Sequence, residues 1–327
     1  MKVGLTYNLG SDYQVKEDDP IDVAAEFDTP RTIEGLENAI RANGHEPVLI
    51  GDGQKLFRFL QDKRVDIVFN IAEGYYGRAR EAQIPALLEM MQVPYAGSDP
   101  VALGIALDKV MTKQIMKAEG IPTARFLKIT RIEDFNDVPM KYPLFAKPLH
   151  EGTGKGIDAK SKIKTRPQLR TRVKYLLKTY HEPVLVEEYL EGEEFTVGIV
   201  GNPPHVIGTM QIIFDTSQVE DFYSYRVKED YEKFVHYVCP PTTEPDRVEQ
   251  IEEIALRAYK VLECRDFGRV DIRCDADGTP NFLEINPLAG LNPDHSDLVI
   301  IARHNDITYD QLIGRILHSA MARYHLL

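Results

Sequence analysis

Apolar positions in the N-terminal third of the chain alternate between short strand-like runs and longer runs of helical period. Val3 to Tyr7 reads as a strand. Thr29-Pro30 reads as an N-cap followed by proline at the first helical position, opening a helix that stops at Asn43-Gly44. Pro47 to Ile50 predicts a second strand and Lys55 to Asp62 a helix. The near-continuous apolar run from Val65 to Asn70 predicts a parallel strand covered on both faces, and Glu81 to Met91 is helical again. This βαβαβα order predicts an open parallel sheet, with ligands beyond the carboxyl ends of its strands, at Tyr7-Asn8 and at Asn70 to Gly74. The polar, acidic stretch between Asn8 and Asp28 reads as a loop over that edge.

Further along, the pattern becomes mixed and richer in antiparallel signals. Leu107 to Glu119 predicts a helix ended by Gly120. Short strands follow at Phe126 to Lys128, at Leu144 to Lys147 and from Ile157 onward, then a helix from Gln168 to Thr179 and a strand from Val184 to Tyr189. Phe195 to Val200 and Val206 to Phe214 form an antiparallel pair around Asn202-Pro203-Pro204. Arg247 to Leu262 is an amphipathic helix, and the chain reads as helical from Leu298 to its end. The expected class is α/β at the N-terminus and α+β over the C-terminal two thirds, divided as 1–104, 105–186 and 187–327.

The strongest local signal is the alternating run Gly268 to Arg273, an Asp277-Gly278 turn, and a second run Asn281 to Asn286. With Asp277 and Gly278 as the loop, Val270 faces Ile285 and Ile272 faces Leu283 on an apolar side. Asp271 faces Glu284, and Arg269 faces Asn286, on the other. Opposed carboxylates repel. With the Asn286 amide oxygen they make an all-oxygen donor set that suits Mg²⁺ or Mn²⁺ rather than zinc. The alternative is a solvated strand face.

Composition narrows the classes. The net charge of −12 argues against a nucleic-acid binder. No run of 18 apolar residues offers a membrane span, and Met1 to Tyr7 lacks the apolar core of a signal peptide. Cys239, Cys264 and Cys274 cannot pair completely and show no CxxC spacing, as expected of reduced cysteines in a cytoplasmic protein. His150 and His295 read as loop residues that hydrogen-bond rather than as bases.

His150-Glu151-Gly152-Thr153-Gly154-Lys155-Gly156 is a glycine-dense loop. It fits neither a Walker A loop, because Leu149 and Gly156 stand at required positions, nor a dinucleotide fingerprint, because Ile157 replaces the last glycine. Alone it could be a flexible turn. Together with Lys109, Lys147 and the paired carboxylates it describes a triphosphate site.

These pieces, in this order, resemble the ATP-grasp superfamily and, within it, the D-alanine–D-alanine ligases. The resemblance is carried by Pro94 to Ser98, Leu107-Asp108-Lys109 with Thr112-Lys113, Phe145 to Pro148, Glu151-Gly152, Val186 to Leu190 with Gly192 to Val197, Gly268 to Asp271, and Leu283 to Pro287. It implies an ATP-dependent carboxylate–amine ligase working through an acyl phosphate on small amino-acid or amino-acid-like substrates, as a homodimer. Lys109, Lys147 and the loop Glu151, Gly152, Thr153 and Gly154 would meet the phosphates. Glu187 would accept from the adenine amino group, with the backbone of Glu188, Tyr189 and Leu190 lining the base. Glu194 would hold the ribose, and Lys228 would reach the phosphates from a mobile loop. Asp271, Glu284 and Asn286 would hold two Mg²⁺, and Arg269 with the Gly290 backbone would stabilise the oxyanion.

The amino-acid half departs from the family pattern. The glutamate expected just after the first strand is missing from Tyr7 to Asp12. The family histidine and acidic pair are replaced by Glu73 and by Arg78 and Ala79. Glu229 and Thr153 replace the loop tyrosine and serine, and Asn292 to Asp297 replaces a short serine-rich turn. Glu73 could meet an ammonium, the resemblance implies Ser296 as a carboxylate contact, and Asn292 is a further candidate substrate residue. Arg78 and Arg80 either clamp a carboxylate or pair with Glu81 or Glu73 as structure. A ligase with a different substrate pair is expected. An authentic D-alanine–D-alanine ligase, a ligase of specialised metabolites or peptides, and a nucleotide-binding regulator are the alternatives.

Overall fold

The computed structural model describes residues 1–135, 138–225, 227 and 230–327. Three sheets organise them. The first has the order β2-β1-β3-β4 and is wholly parallel, from β1 (Lys2–Thr6), β2 (Glu46–Gly51), β3 (Ile67–Asn70) and β4 (Tyr95–Ala96). The Val/Ile/Phe run of β3 is buried throughout, as a parallel strand covered on both faces requires. Thr29 caps the helix Pro30–Ala42 by accepting from the Thr32 N–H, with Pro30 at its start, as the sequence predicts. The acidic segment after β1 is a loop with one short 3₁₀ turn, Gly10–Asp12.

The second sheet, antiparallel, has the order β5-β8-β6-β7, from β5 (Phe126–Ile129), β6 (Leu144–Pro148), β7 (Lys162–Ile163) and β8 (Val184–Glu188). The strand expected from Ile157 starts only at Lys162. A turn in which the Ser161 N–H donates to the Asp158 carbonyl, and the Asp158 N–H to the Ser161 hydroxyl, holds the chain off the sheet until there. The third sheet, also antiparallel, has the order β11-β10-β9-β12-β13, from β9 (Glu194–Val200), β10 (His205–Phe214), β11 (Val235–Val238), β12 (Phe267–Cys274) and β13 (Pro280–Asn286).

On β9 and β12 the alternation of side chains divides core from cleft. Phe195, Val197, Ile199, Val270, Ile272 and Cys274 join the core under the helix Pro245–Val261, with Ile251, Ala255 and Tyr259. Glu194, Thr196, Arg269, Asp271 and Arg273 take the other face.

Two expected features are corrected. The β12–β13 hairpin does not turn on Asp277-Gly278 alone. Its loop runs from Asp275 to Thr279, because the Asp275 carboxylate accepts from the N–H groups of both Asp277 and Thr279. A bulge then follows between Asp271 and Ile272, so Ile272 faces Phe282 and not Leu283. The bulge turns Leu283 to the cleft and restores the expected pairs Asp271–Glu284, Val270–Ile285 and Arg269–Asn286. The helix expected over Leu107–Glu119 is preceded by another. Asp108 interrupts the run, ending Pro100–Leu107 and capping Lys109–Ala118 through the Met111 N–H. The C-terminus likewise forms two helices, Asp297–His304 and Tyr309–Arg323, because Thr308 and Gln311 form a capping box.

Candidate active site

A cleft opens between the second and third sheets. Phe145 and Lys147 of β6, Glu187 and Glu188 of β8, Tyr189, Leu190, Gly154 of the glycine loop, and Glu194, Arg269, Asp271, Arg273, Leu283 and Glu284 line it. Phe145, Tyr189 and Phe222 form an aromatic cluster at one side. Charges dominate the other. Lys147 lies 3.2 Å from Glu284 and 3.5 Å from Glu187, and Lys113 lies 2.9 Å from Glu187. Burial alone would raise the Glu187 carboxyl, but the two ammonium groups outweigh it and hold the group below the ordinary carboxylate range. Glu194 pairs with Arg273 at 2.8 Å across the β9–β12 register. Burial still pushes its carboxyl up to about 7, with Asp271 and Glu284 adding to the rise and Arg273 opposing it.

Asp271 accepts from the Thr196 hydroxyl at 2.8 Å and from Arg269 at 2.9 Å. Asp271 and Glu284, in register on neighbouring strands, offer carboxylate oxygens, and Asn286 follows two residues on. This donor set fits a hard divalent cation. Among the described residues no three His, Cys, Asp or Glu side chains converge as a metal site.

Not every expected phosphate residue lies in this cleft. Lys109 is buried with its ammonium on the Glu151 carbonyl at 2.6 Å, bracing the base of the glycine loop. Glu151 binds Lys155, and Gly152 donates to Glu26 at 2.6 Å. Thr153 lies at the boundary with a second, broader cavity, and its φ of +50° and the +74° of Gly154 make the sharp bend there. Lys228 and Glu229 lie outside the described residues.

The second cavity adjoins the first through Arg269 and Tyr223, which line both. Glu26, Asp28, Glu73, Asn286, Gly290, Asn292, His295, Ser296 and Asp297 belong to its wall, with Tyr223, Tyr225, Tyr231 and Tyr237. A β-carbon at Gly290 would meet the Ser296 hydroxyl at 2.9 Å, so a larger residue there would push the Ser296 side chain aside. Asn292 is committed to the fold: its N–H donates to Ser296 and its amide to Thr29 and Thr32. Glu73 makes no hydrogen bond or ion pair among the described residues, and burial beside Glu81 and Glu26 raises its carboxyl well above the usual range.

Arg78 and Arg80 do not line this cavity. Arg78 pairs with Asp108 at 2.8 Å, and Arg80 with Glu26 at 2.9 Å and with the His150 carbonyl at 3.0 Å. Both are thus paired with carboxylates, but not with the Glu81 or Glu73 that the sequence offers nearby. Glu26 is the residue that the sequence hid. Burial opposes its charge, yet Arg80, Lys155 and the Gly152 N–H hold its carboxyl down at about 2. Asp22 adds a second clasp, accepting from the Gly156 N–H and the Tyr180 hydroxyl. Lys113, four residues after Lys109 on one helix face, was findable by that spacing.

His150, behind the glycine loop, is buried between Asp108 at 3.4 Å and Glu182 at 3.0 Å. Burial disfavours its cation, but hydrogen bonds to the two carboxylates outweigh this and raise its pKa above 6.5. A raised folded pKa means that the cation stabilises the fold fully below the unfolded value, and that this contribution is lost as pH rises through the folded value. A His150→Asn variant should therefore be destabilised relative to the parent at pH 5.5, with the gap shrinking as the pH climbs past 6.5. Denaturant titrations across that range check it; a gap that widens with pH contradicts the pairing.

Three sheets enclosing a charged cleft, with a glycine loop over it, define an ATP-grasp protein. Residues 115–318 match the family model described as D-ala D-ala ligase C-terminus. The chain is 33% identical over 309 residues to the uncharacterized protein y4sG of Sinorhizobium fredii, covering 90% of this chain and 88% of that one. It is 31% identical over 289 residues to the D-alanine–D-alanine ligase of Rhizobium meliloti, covering 86% and 90%. The crystal structure of the D-alanine–D-alanine ligase from Bacillus anthracis shares the fold, with a TM-score of 0.75, 22% identity and 99% of each chain covered. That enzyme has also been solved in complex with ATP, and superposes with a TM-score of 0.73. The chain belongs to the D-alanine–D-alanine ligase family and is a ligase of the class that forms carbon–nitrogen bonds. No helix among the described residues is long and apolar enough to cross a membrane.

Proposed function

We propose that the protein binds ATP in the cleft between the second and third sheets and joins an amino-acid-like acid to an amine through an acyl phosphate. The observation that carries this is the register of Asp271 against Glu284 beside Lys147 and Arg269, in one cleft next to a second cavity of substrate size. Phosphoryl transfer asks a protein mainly for positioning and charge neutralisation, which these groups can supply. The aromatic and aliphatic side of the cleft, Phe145, Tyr189, Leu190 and Leu283, suits a purine, with Glu187 and Glu194 as polar contacts to base and ribose. Asp271, Glu284 and Asn286 would hold Mg²⁺, which when bound neutralises phosphate charge.

The acid's carboxylate oxygen attacks the γ-phosphorus and ADP leaves. The amine, as free base, attacks the acyl carbon, and the carboxylate oxygen departs with phosphate. The nitrogen gives up two protons in all, one before attack and one from the tetrahedral adduct. Arg269 and the Gly290 N–H would face the oxyanion of that adduct. Glu73, which has no ion-pair partner among the described residues, would meet the acid's ammonium. Asp22 and Glu26 hold the glycine loop down, which keeps water from the acyl phosphate. A cytoplasmic location would suit an enzyme that uses ATP and free amino acids, and a homodimer is what the family resemblance implies.

Incubation with MgATP and hydroxylamine, across D- and L-amino acids, tests the reading. Hydroxylamine captures an acyl phosphate as a hydroxamate. Hydroxamate formed with one or a few acids supports a ligase. ATP binding without hydroxamate or phosphate release from any acid supports a regulator instead.

A further inference from the structure

We propose that Lys113, buried behind the cleft wall, makes the protein choose a 6-amino purine over a 6-oxo purine by keeping Glu187 a hydrogen-bond acceptor. The inference rests on the reading that ATP lies between the second and third sheets with its base at Glu187. It names the residue that sets base selectivity at that site.

Two lysines face Glu187, and the fold places them differently. Lys147 lines the cleft and is shared, 3.5 Å from Glu187 Oε1 and 3.2 Å from Glu284. Lys113 has no exposed surface. Its ammonium lies 2.9 Å from Glu187 Oε2, an ion pair rather than an aligned hydrogen bond. The same ammonium donates to the Thr123 hydroxyl at 2.8 Å. Thr123 donates in turn to the Phe282 carbonyl at 2.8 Å, and the Phe282 N–H to the Pro122 carbonyl at 2.7 Å. Lys113 is therefore tied to both walls of the cleft, to β8 through Glu187 and to β13 through Thr123 and Phe282. A triphosphate in the cleft competes for Lys147, the lysine that reaches the cleft surface. Lys113 stays behind the wall with Glu187.

The remaining cation matters because Glu187 is buried. Burial disfavours its carboxylate, and the charges of Lys113 and then Lys147 outweigh burial. A charged carboxylate only accepts hydrogen bonds. It takes an N–H of a 6-amino group and repels the oxygen of a 6-oxo group. A neutral carboxyl carries an O–H and can donate to that oxygen. With Lys147 drawn towards phosphate, Lys113 decides which form of Glu187 the base meets. It acts through Glu187 and is a positioning residue, not a contact of the nucleotide.

The experiment measures Kd of the full chain for MgATP and for MgITP by calorimetry. The two nucleotides differ only at the 6-position and in the proton on N1. The parent should prefer ATP by about tenfold or more, the scale of one charge-assisted hydrogen bond. Lys113→Met removes the cation at similar length. It should weaken ATP and leave ITP binding unchanged or tighter, so that the preference falls to about threefold or less. Removing one member of a buried pair also costs stability. Lys113→Gln, which keeps a donor for Thr123 and removes the charge, is measured beside it and should shift the preference in the same direction. A parent without preference, a preference unmoved in the variants, or equal weakening of both nucleotides overturns the inference and leaves the ATP site standing. Binding of neither nucleotide to the parent removes the ATP site, and the inference with it.

Discussion

Glu284→Gln should lower turnover by about 10³-fold, because a metal clamp supplies several kcal/mol of charge stabilisation and each ~1.4 kcal/mol is tenfold. The substitution keeps the side chain's volume and leaves its neighbours in place. Lys147 retains Glu187 at 3.5 Å, so its ammonium keeps a counter-charge when Glu284 becomes neutral. Burial lowers the Lys147 pKa and the two carboxylates raise it; with both present the rise wins. Removing Glu284 weakens that rise without leaving the ammonium unpaired. The melting temperature should therefore change little while kcat falls. Steady-state phosphate release, with the substrate pair identified by hydroxamate trapping and a magnesium titration, reads the effect. Retained turnover at saturating magnesium would take Glu284 out of the metal site. A large loss of stability would instead assign Glu284 to the Lys147 pair alone.

This site was legible where the argument was local. Strand β12 carries its charged residues at alternate positions, and alternation alone puts Arg269, Asp271 and Arg273 on one face and Val270, Ile272 and Cys274 on the other. The register at Asp271 and Glu284 followed from the Asp-Gly signal, although the loop is longer than that signal implies. Asp275 folds its carboxylate onto two N–H groups, and the later bulge makes up the difference. The bulge leaves its trace in the pattern: Phe282 and Ile285, both in the core, stand three positions apart on β13.

What was illegible depends on contacts between distant parts of the chain. Arg80 takes Glu26, which lies 54 positions away, and Arg78 takes Asp108, which lies 30 away. Glu26 sits in a loop with almost no regular structure, where no periodicity marks a position as buried. The resemblance implies Lys109 as a phosphate ligand, yet its ammonium is held by the Glu151 carbonyl. Sequence patterns assign the face on which a side chain lies; partner choice is settled by whichever opposite charge the fold brings nearest.

Arg269 tests how the cleft couples charge balance to chemistry. Its guanidinium bonds to Asp271 and lies against Asp297, and burial, which disfavours the cation, is outweighed by these acids so that it stays charged. Arg269→Met should cost about 3–5 kcal/mol of stability, because it takes the cation from a buried pair. It should also lower kcat by about 10²–10³-fold through loss of an oxyanion donor. Arg269→Lys separates the two effects. An ammonium restores a positive charge between Asp271 and Asp297, so much of the stability should return. It lacks the planar fork that holds two carboxylates and still presents a donor to a reacting oxygen, so kcat should stay low. Urea unfolding and single-turnover amide formation, run on both variants, give the two readouts. If lysine restores both together, Arg269 acts only as a counter-charge. If methionine leaves kcat intact in the folded fraction, the oxyanion must be stabilised elsewhere in the cavity, and the acyl carbon does not form beside Arg269.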